Sequence, residues 1–338
     1  MISEKKLKEL KNLIINSKNP VFLFDNDPDG ICSAAILLRN IRKGNFFVLK
    51  SIDKLNKKIK KKILSLCPSE IFFLDKPFYE EKFIGKIKER KIKIIFIDHH
   101  EQKIKDRECL YFNSYPSSEP VSYITQKIFN SKDTIFLSLI GCISDVFLPE
   151  FFYKEKEKYP ELFNQSNKPL DIIYSSNFGK IIKILSLSLK NKDNNIVKIL
   201  YYLAKSNSFY DILIEKKENQ FMHEKYKELN KIIENNIKKI KVFDSFVFLE
   251  FSGKYSLTSE ISNKLLYLYQ KKFILVCYKK EDIVNISLRG EKAKKFVEKI
   301  LKKIKNSIGG GHEKACGLRI PMSEYDNFKK IVFEHFKK

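Results

Sequence analysis

Short apolar segments alternate with longer amphipathic segments over the first hundred residues of the chain. The repeat predicts strands at 20–25, 45–50, 70–75 and 92–97, and helices at 30–43, 53–66 and 78–90. Parallel strands need crossover connections, and a helix is the usual one. The alternation therefore predicts an α/β domain in which helices cover a parallel sheet.

An aspartate stands at the end of three of these predicted strands. Asp25, Asp75 and Asp98 each come directly after the last apolar residue of a strand. A single aspartate in this place is usually a turn residue or a helix cap. In a parallel sheet, however, the carboxyl ends of the strands meet at one edge, where ligands bind. Three aspartates at that edge predict a common site.

Further carboxylates and imidazoles accompany two of these aspartates. Asp25-Asn26-Asp27-Pro28-Asp29-Gly30 has three carboxylates at alternate positions, and Asp98-His99-His100 adds two imidazoles. Carboxylates together with imidazole suit Mn²⁺. A pair of such ions can activate a water for attack on phosphorus and stabilise the leaving oxygen. The residues therefore predict a binuclear metal site for phosphoester hydrolysis.

Two other kinds of protein also begin a site with an aspartate-rich turn. An EF-hand calcium loop needs a glutamate at its twelfth position and a helix before it, whereas this chain has Ile36 and a predicted strand. The calcium loop is therefore excluded. A phosphatase of the haloacid dehalogenase type would use Asp25 as its nucleophile. That alternative stays open, although it leaves Asp98-His99-His100 without a role.

The pattern changes twice along the remainder of the chain. Helices are predicted at 119–130 and 133–146, and lysine-rich and asparagine-rich helices follow from 151 to 240. Strands are then predicted at 245–251, 272–279, 283–288 and 316–320, and helices at 258–270, 291–305 and 323–337. We expect a catalytic domain over 1–150, a helical connector over 151–240 and a smaller α/β domain over 241–338.

The last of these regions contains the run Gly309-Gly310-Gly311-His312. Glycines let backbone N–H groups approach a phosphate closely and form an anion-binding nest. His312 could add a hydrogen-bond donor there. The alternative is a tight turn before the strand at 316–320, and the glycines alone do not decide between the two.

Charge and composition narrow the class of protein. The formal charge is +24, which is typical of nucleic-acid binding, but lysine far exceeds arginine and an AT-rich genome produces the same bias. The six cysteines are scattered among mostly apolar neighbours, which predicts reduced core thiols. No uncharged apolar stretch reaches about 18 residues, and no secretory pattern is present at the start. We expect a cytoplasmic protein that does not enter a membrane.

Five segments together resemble the DHH phosphoesterase superfamily, and most closely its compact RecJ-like nucleases, in which a DHH domain precedes a DHH-associated C-terminal domain. The segments are Asp25-Asn26-Asp27-Pro28-Asp29-Gly30, Asp75, Asp98-His99-His100, Gly141-Cys142-Ile143-Ser144-Asp145 and Gly309-Gly310-Gly311-His312-Glu313-Lys314-Ala315-Cys316-Gly317. They span most of the chain, and their combination is highly specific. Many relatives have histidine where Asp25 stands, whereas RecJ itself has aspartate.

The resemblance implies roles for the residues of the predicted catalytic domain. Two Mn²⁺ ions are expected, with Mg²⁺ as a substitute. One ion would be bound by Asp25 and Asp27. The other would be bound by Asp29, His99 and Asp145, and Asp75 would bridge the two. His100 would contact the scissile phosphate or transfer a proton, and Asp98 would orient the imidazoles.

The resemblance also implies a substrate-binding site in the C-terminal domain. Arg289 matches a position at which relatives have a phosphate-binding arginine, and a guanidinium suits phosphate geometry. The predicted substrate-binding residues are Arg289, Gly309, Gly310, Gly311 and His312. Arg319 matches no pattern, and we expect a surface role for it.

A metal-dependent exonuclease follows from the resemblance as the expected function. It would hydrolyse single-stranded DNA or RNA to nucleoside monophosphates. One alternative is a phosphodiesterase for short oligoribonucleotides, cyclic dinucleotides or bisphosphate nucleotides, because the chain is too short for the additional domains of bacterial RecJ. The other is a non-catalytic, replication-associated DNA-binding subunit. Such relatives usually lose metal ligands, whereas every expected ligand position is filled here.

Overall fold

The computed structural model describes residues 1–50, 55–101, 106 and 108–336. These residues form two compact units, Met1–Tyr226 and Lys227–Lys338. The division falls within a helix, Gln220–Ile237. Among the described residues, no helix combines the length and the apolar character that crossing a membrane would require.

A five-stranded parallel sheet forms the centre of the first unit. Its strands are β1 (Pro20–Asp25), β2 (Asn45–Leu49), β3 (Glu70–Leu74), β4 (Lys93–Asp98) and β5 (Leu110–Asn113). They lie in the order β2-β1-β3-β4-β5. The order reverses between β1 and β3, and ligands in sheets of this type bind where it reverses. Asp25 ends β1 and Asp75 directly follows β3, so both lie at this point.

Helices cover both faces of this sheet. The helices up to residue 237 are α1 (Glu4–Asn16), α2 (Pro28–Ile41), α3 (Lys57–Ser65), α4 (Glu81–Glu89), α5 (Val121–Phe129), α6 (Ile135–Ser144), α7 (Phe152–Lys158), α8 (Pro169–Ser175), α9 (Asn177–Ser188), α10 (Asp193–Lys205), α11 (Tyr210–Leu213) and α12 (Gln220–Ile237), with short 3₁₀ turns at Lys132–Thr134 and Pro160–Leu162.

The alternation of side chains along β1 divides the apolar core into two layers. Val21 and Leu23 pack in the layer that includes α3 and α4. Phe22 and Phe24 pack in the other layer, with α2, α5 and α6. Apolar residues of the helical region after residue 151 also belong to this second layer, because Phe152 and many later residues are buried in it.

A six-stranded mixed sheet forms the second unit. Its strands are β6 (Lys241–Val242), β7 (Phe246–Ser252), β8 (Phe273–Lys280), β9 (Ile283–Arg289), β10 (Ile308–His312) and β11 (Ala315–Pro321), in the order β10-β11-β9-β8-β7-β6. Its helices are α13 (Thr258–Leu268), α14 (Ala293–Lys303) and α15 (Tyr325–Phe336), with a 3₁₀ turn at Met322–Glu324. Apolar residues of α14 and α15 pack with the sheet in one core.

The observed architecture confirms the predicted fold class: a parallel-sheet α/β domain, a helical middle region and a smaller α/β domain. The structure adds β5, β6 and β10, which the sequence did not predict. The glycine run 309–311 lies in the edge strand β10, where a turn or a nest was expected. Two predicted helices extend beyond the described residues, at 53–54 and at 337. The predicted domain boundaries at 150 and 240 stay predictions.

Candidate active site

The segment after β1 is shaped by the start of α2. Asp27 caps this helix, because its Oδ1 accepts a hydrogen bond from the Gly30 N–H at 2.9 Å. Pro28 follows as the first helical residue, where its missing N–H is not needed. Gly30 packs so closely that a Cβ there would lie 2.6 Å from the backbone oxygen of Asp25. The local sequence therefore holds Asp25, Asp27 and Asp29 together at the helix N-terminus.

Asp29 is fully buried and is held from the opposite side by α5. Its Oδ2 accepts a hydrogen bond from the Val121 N–H at 2.7 Å, and its Oδ1 accepts one from the Ser122 N–H at 2.9 Å. Each carboxylate oxygen has two lone pairs, so both can still face a cation. The two backbone donors thus fix the orientation of Asp29 without consuming its capacity as a ligand.

Asp75 is the most constrained residue of the site. Its backbone φ is 61°, a left-handed conformation that few residues other than glycine adopt. Its side chain is 1% exposed, and neither carboxylate oxygen has a hydrogen-bond partner among the described residues. Buried carboxylates normally have partners, so an unpartnered one indicates a ligand that the chain itself does not supply.

His99 lies between two carboxylates. Its Nε2 is 3.0 Å from Asp75 Oδ1 and 3.2 Å from Asp145 Oδ2, and Asp145 caps the end of α6. The contact with Asp75 lacks hydrogen-bonding geometry, in keeping with the unpartnered oxygen. Burial lowers the pKa of His99 and favours its neutral form. A neutral imidazole and two carboxylates at these distances have the composition and spacing of ligands for a shared cation.

His100 belongs to a hydrogen-bond network with Asp98 and β5. The His100 Nδ1 lies 2.7 Å from Asp98 Oδ1, and the Tyr111 hydroxyl donates to Asp98 Oδ2 at 2.9 Å. The Asn113 amide donates to the backbone oxygen of His100 at 2.9 Å. Burial lowers the pKa of His100, but the hydrogen bond and the charge of Asp98 outweigh it and raise that pKa. The bond at Nδ1 leaves Nε2 for a substrate.

Three overlapping groups of side chains have the spacing of metal ligands. Within each group the potential ligand atoms lie within 4.8 Å of one another. The groups are Asp25, Asp27 and Asp75; Asp29, Asp75, His99 and Asp145; and Asp75, His99 and His100. Asp75 belongs to all three. The structure therefore brings all eight sequence-predicted residues of the first unit into one place, with Asp98 behind His100.

The electrostatics of this cluster fit a divalent cation. Burial, reinforced by the charge of Asp27, raises the pKa of Asp25 to about 6. Burial and neighbouring carboxylates also raise the pKa of Asp27, Asp75 and Asp145. Carboxylates that repel one another away from water are stabilised by a cation that coordinates oxygen and nitrogen. The cluster can thus hold a divalent metal ion.

Sequence reasoning missed three side chains of this site. Tyr111 and Asn113 belong to β5, which was not predicted. Lys76 forms an ion pair with Asp25 in which both side chains are mostly buried. Only its position directly after Asp75 could have drawn attention to Lys76. Its ammonium group supplies one positive charge beside Asp25 and Asp27.

The predicted substrate residues of the second unit line an open groove of about 810 Å³. The Arg289 Nε donates to Asn263 Oδ1 at 2.8 Å, and its Nη1 donates to the Ser287 hydroxyl at 3.0 Å. The run 309–311 and His312 form one wall of the groove. Arg319, for which a surface role was expected, also lines it. The groove therefore brings together every substrate residue predicted for this unit.

Comparison with known protein families gives two matches along the chain. Residues 21–164 match the DHH family, N-terminal domain, and residues 243–338 match the DHHA1 domain. The first match contains all the clustered carboxylates and imidazoles, and the second contains the groove. No curated protein matches the sequence.

Solved structures share the fold at low sequence identity. Exonuclease RecJ bound to manganese is 12% identical, with a TM-score of 0.67 over 99% of this chain and 94% of that one. RecJ from Thermus thermophilus in complex with Mn²⁺ is 12% identical, with a TM-score of 0.69. The match covers 98% of this chain but 54% of the Thermus protein, so the chain spans about half its length. A pGpG-specific phosphodiesterase, PggH from Vibrio cholerae, is 11% identical, with a TM-score of 0.54 over 94% of this chain and 98% of that one.

Proposed function

Because this chain belongs to the DHH family of phosphoesterases and combines a DHH N-terminal domain with a DHHA1 domain, we propose that it is a metal-dependent exonuclease. It would remove nucleoside monophosphates from the end of single-stranded DNA or RNA. The observation that carries the proposal is the carboxylate and imidazole cluster around the buried Asp75, whose own oxygens have no hydrogen-bond partner among the described residues.

Two divalent ions, Mn²⁺ or Mg²⁺, are assigned to this cluster. One ion would be held by Asp25 and Asp27. The other would be held by Asp29, His99 and Asp145, and Asp75 would contribute to holding both. When bound, the pair would supply Lewis-acid activation of a water and stabilise charge on the phosphate and on the leaving oxygen. The overlap of the ligand groups at Asp75 supports this division. The backbone hydrogen bonds to Asp29 would keep this one ligand in position before any substrate arrives.

His100 would transfer a proton at the scissile phosphate. Its Nδ1 is bonded to Asp98, so Nε2 is the nitrogen that can donate to a phosphate oxygen or to the leaving group. The raised pKa of His100 favours the protonated form that such donation needs. Tyr111 would act through Asp98 as a positioning residue.

The second unit would bind the substrate rather than cleave it. Arg289 is fixed by Asn263 and Ser287, which prepares its guanidinium for a phosphate at little entropic cost. The groove contains no carboxylate among its lining residues and therefore favours an anionic ligand. The formal charge of +24 supports attraction of a polyanion to the whole chain.

A second candidate function is the hydrolysis of very short substrates. The similar PggH acts on pGpG, and the match covers 98% of that protein, as it covers 94% of the manganese-bound exonuclease RecJ. A short oligoribonucleotide, a cyclic dinucleotide or a bisphosphate nucleotide would then be the substrate. The chemistry at the cluster would be the same, and only the length of the bound chain would differ.

Cleavage of end-labelled strands of graded length separates the two candidates. The full chain is incubated with single-stranded DNA and RNA, from dinucleotides to strands of about 30 nucleotides, with Mn²⁺ or Mg²⁺. An exonuclease gains in kcat/KM as nucleotides are added, because more phosphates meet basic side chains. A short-substrate enzyme loses activity beyond a few nucleotides. The label position in the products also gives the direction of digestion.

Two variants test the assignment of the site. Asp75→Asn should abolish cleavage of every substrate, whereas Arg42→Gln should leave it unchanged, because Arg42 is exposed at the far end of α2. Equal activity of Asp75→Asn and the wild type would refute the site. Absence of both Mn²⁺ binding and cleavage in the wild type would instead favour a non-catalytic, nucleic-acid-binding subunit.

A further inference from the structure

The floor of the groove in the second unit is built from three rows of residues across β10, β11 and β9. Residues directly opposite one another in antiparallel strands point to the same face. The first row is His312, Ala315 and Arg289; the second is Gly310, Gly317 and Ser287; the third is Ile308, Arg319 and Asn285. All nine residues line the groove. An arginine thus stands in each outer row, and no side chain larger than serine stands between them.

The glycines of β10 and β11 divide into two kinds. A Cβ on Gly309 would lie 2.7 Å from the Gly317 backbone oxygen, and Gly311 has a φ of 142°, so the fold itself requires these two. Gly310 and Gly317 face open space, because a Cβ on either would meet nothing within 4 Å. The fold does not require glycine in the middle row. Glycine at these two positions instead keeps the floor of the groove open.

Arg319 is held in its row by its neighbour on β9. Its Nε donates to Asn285 Oδ1 at 2.9 Å, which leaves the two terminal nitrogens directed away from that bond. Arg289 has different anchors, Asn263 and Ser287. The backbone positions of the two rows, Ala315 and Arg319, are four residues apart on β11, or about 13 Å. The groove therefore presents two separately fixed guanidinium groups along one open floor.

Ile308 adds an apolar surface beside Arg319. It lies directly opposite Arg319 on β10, and 61% of its surface is exposed. An exposed apolar side chain next to a planar guanidinium offers a stacking surface for a nucleobase, because bases stack on arginine planes and pack on apolar groups. A bare phosphate would make no use of Ile308.

We propose that Arg319, Ile308 and the Gly310–Gly317 floor form a second nucleotide subsite, next to the phosphate site of Arg289. The second unit then binds a chain of at least two linked nucleotides, and a bisphosphate mononucleotide does not fill it. This proposal rests on the proposed function and specifies its substrate class.

Binding measurements without divalent ions test this subsite, because the ligands then stay intact. Isothermal titration calorimetry on the full chain would use thymidine 5′-monophosphate, pTpT and pTpTpT, with the uridine series in parallel. The wild type should bind the dinucleotide at least tenfold more tightly than the mononucleotide. Arg319→Gln should lose most of this gain. Arg289→Gln should weaken binding of every length, including the mononucleotide.

Two further variants make the outcome decisive. A Cβ at Gly317 meets nothing within 4 Å, so Gly317→Leu should fold. Its side chain should fill the floor and remove the dinucleotide gain, even if Arg319→Gln does not fold. Arg42→Gln removes the same charge from an exposed site in the first unit and should keep the gain. The proposal is overturned if the wild type shows no gain, or if Arg319→Gln and Gly317→Leu keep it. Failure of the proposed function is a different result, namely no phosphodiester cleavage with Mn²⁺ whatever the binding data show.

Discussion

Asp75 is unfavourable for folding, and we propose that it is central to function. It combines a left-handed backbone with a buried carboxylate that has no hydrogen-bond partner among the described residues. Burial, then the charges of Asp27 and Asp29, raises its pKa well above the ordinary value. Backbone strain and an unpaired buried carboxylate of this kind are retained at sites where a ligand interacts with the group. Asp75 is therefore the position at which stability and metal binding should oppose each other most clearly.

The variant Asp75→Asn should separate stability from function. It removes one buried charge from a group of like charges while keeping the shape of the side chain. We expect the metal-free protein to gain about 1–3 kcal/mol in the free energy of unfolding. Mn²⁺ should no longer stabilise it, and cleavage should fall by more than about 100-fold. Denaturant unfolding with and without Mn²⁺ measures the effect.

The matched control for this variant is Asp193→Asn. Asp193 forms an exposed ion pair with Lys50, and such pairs contribute little to stability. We expect neither its stability nor its metal binding to change measurably. We take the Asp75 carboxylate to be electrostatically unfavourable in the metal-free folded protein. A metal-free Asp75→Asn protein that is less stable than the wild type would contradict this view.

Lys76 should control how tightly the Asp25 side of the site binds an ion. Its ammonium is paired with Asp25 and competes for the same carboxylate. In Lys76→Met we expect the weaker of two Mn²⁺ binding steps to tighten about tenfold, because a competing positive charge is gone. Calorimetric titration with Mn²⁺ measures the affinity of each binding step directly. Lys60→Met removes a comparable half-buried pair with Glu80 outside the cluster and should not affect either step.

Among the structural elements, the contact between α5 and α6 positions Asp29, a proposed metal ligand that belongs to neither helix. The first N–H groups of α5 bind Asp29, and Gly141 of α6 packs against them. A Cβ at Gly141 would meet the Ser122 side chain and would lie 2.9 Å from Asp29 Oδ1. Gly141 therefore lets two helices approach closely enough to fix a carboxylate of the site.

Gly141→Ala should consequently impair the site through packing. We expect a loss of about 1–3 kcal/mol in unfolding free energy from overpacking, and a fall in kcat of at least tenfold because Asp29 is displaced. Gly85→Ala in α4 is the control, since a Cβ there meets nothing within 4 Å. That substitution should stabilise the protein by about 0.5–1 kcal/mol. If both variants were equally active, close packing at Gly141 would have no part in positioning Asp29.

At the scale of the whole molecule, we expect the cluster to make stability depend on both pH and bound metal. Asp25 has a folded-state pKa of about 6, above its value of 3.8 in a free peptide. The folded protein then binds more protons than the unfolded chain between these values, so this contribution to stability is present below about pH 4 and is lost as the pH rises through about 6. A metal ion needs the same carboxylates deprotonated, so its stabilising effect grows over the same range.

Mn²⁺ should therefore raise the melting temperature more at about pH 7.5 than at about pH 5. At a free concentration of about 100 times the dissociation constant, the stabilisation should be about 2.7 kcal/mol at the higher pH. That corresponds to a shift of roughly 5–10 °C. The shift should shrink strongly at the lower pH and be absent in Asp75→Asn at both values. A shift that is equal at the two pH values would mean that the ion does not bind these carboxylates.

The sequence by itself predicted the parallel sheet, the second α/β region and the residues of the carboxylate and imidazole cluster. The sheet and the strand-end positions of Asp25, Asp75 and Asp98 follow from local periodicity, which neighbouring residues decide, whereas Asp145 was assigned only through the resemblance to the DHH phosphoesterases. The sequence segments that form the short strands β5, β6 and β10 show no such pattern. Only the tertiary structure decided that Tyr111 supports Asp98, that Lys76 pairs with Asp25, and that Arg319 shares a groove with Arg289. The physical reason is strand register. Which side chains stand opposite one another depends on how strands that are distant in sequence pair, and local propensity does not specify that pairing.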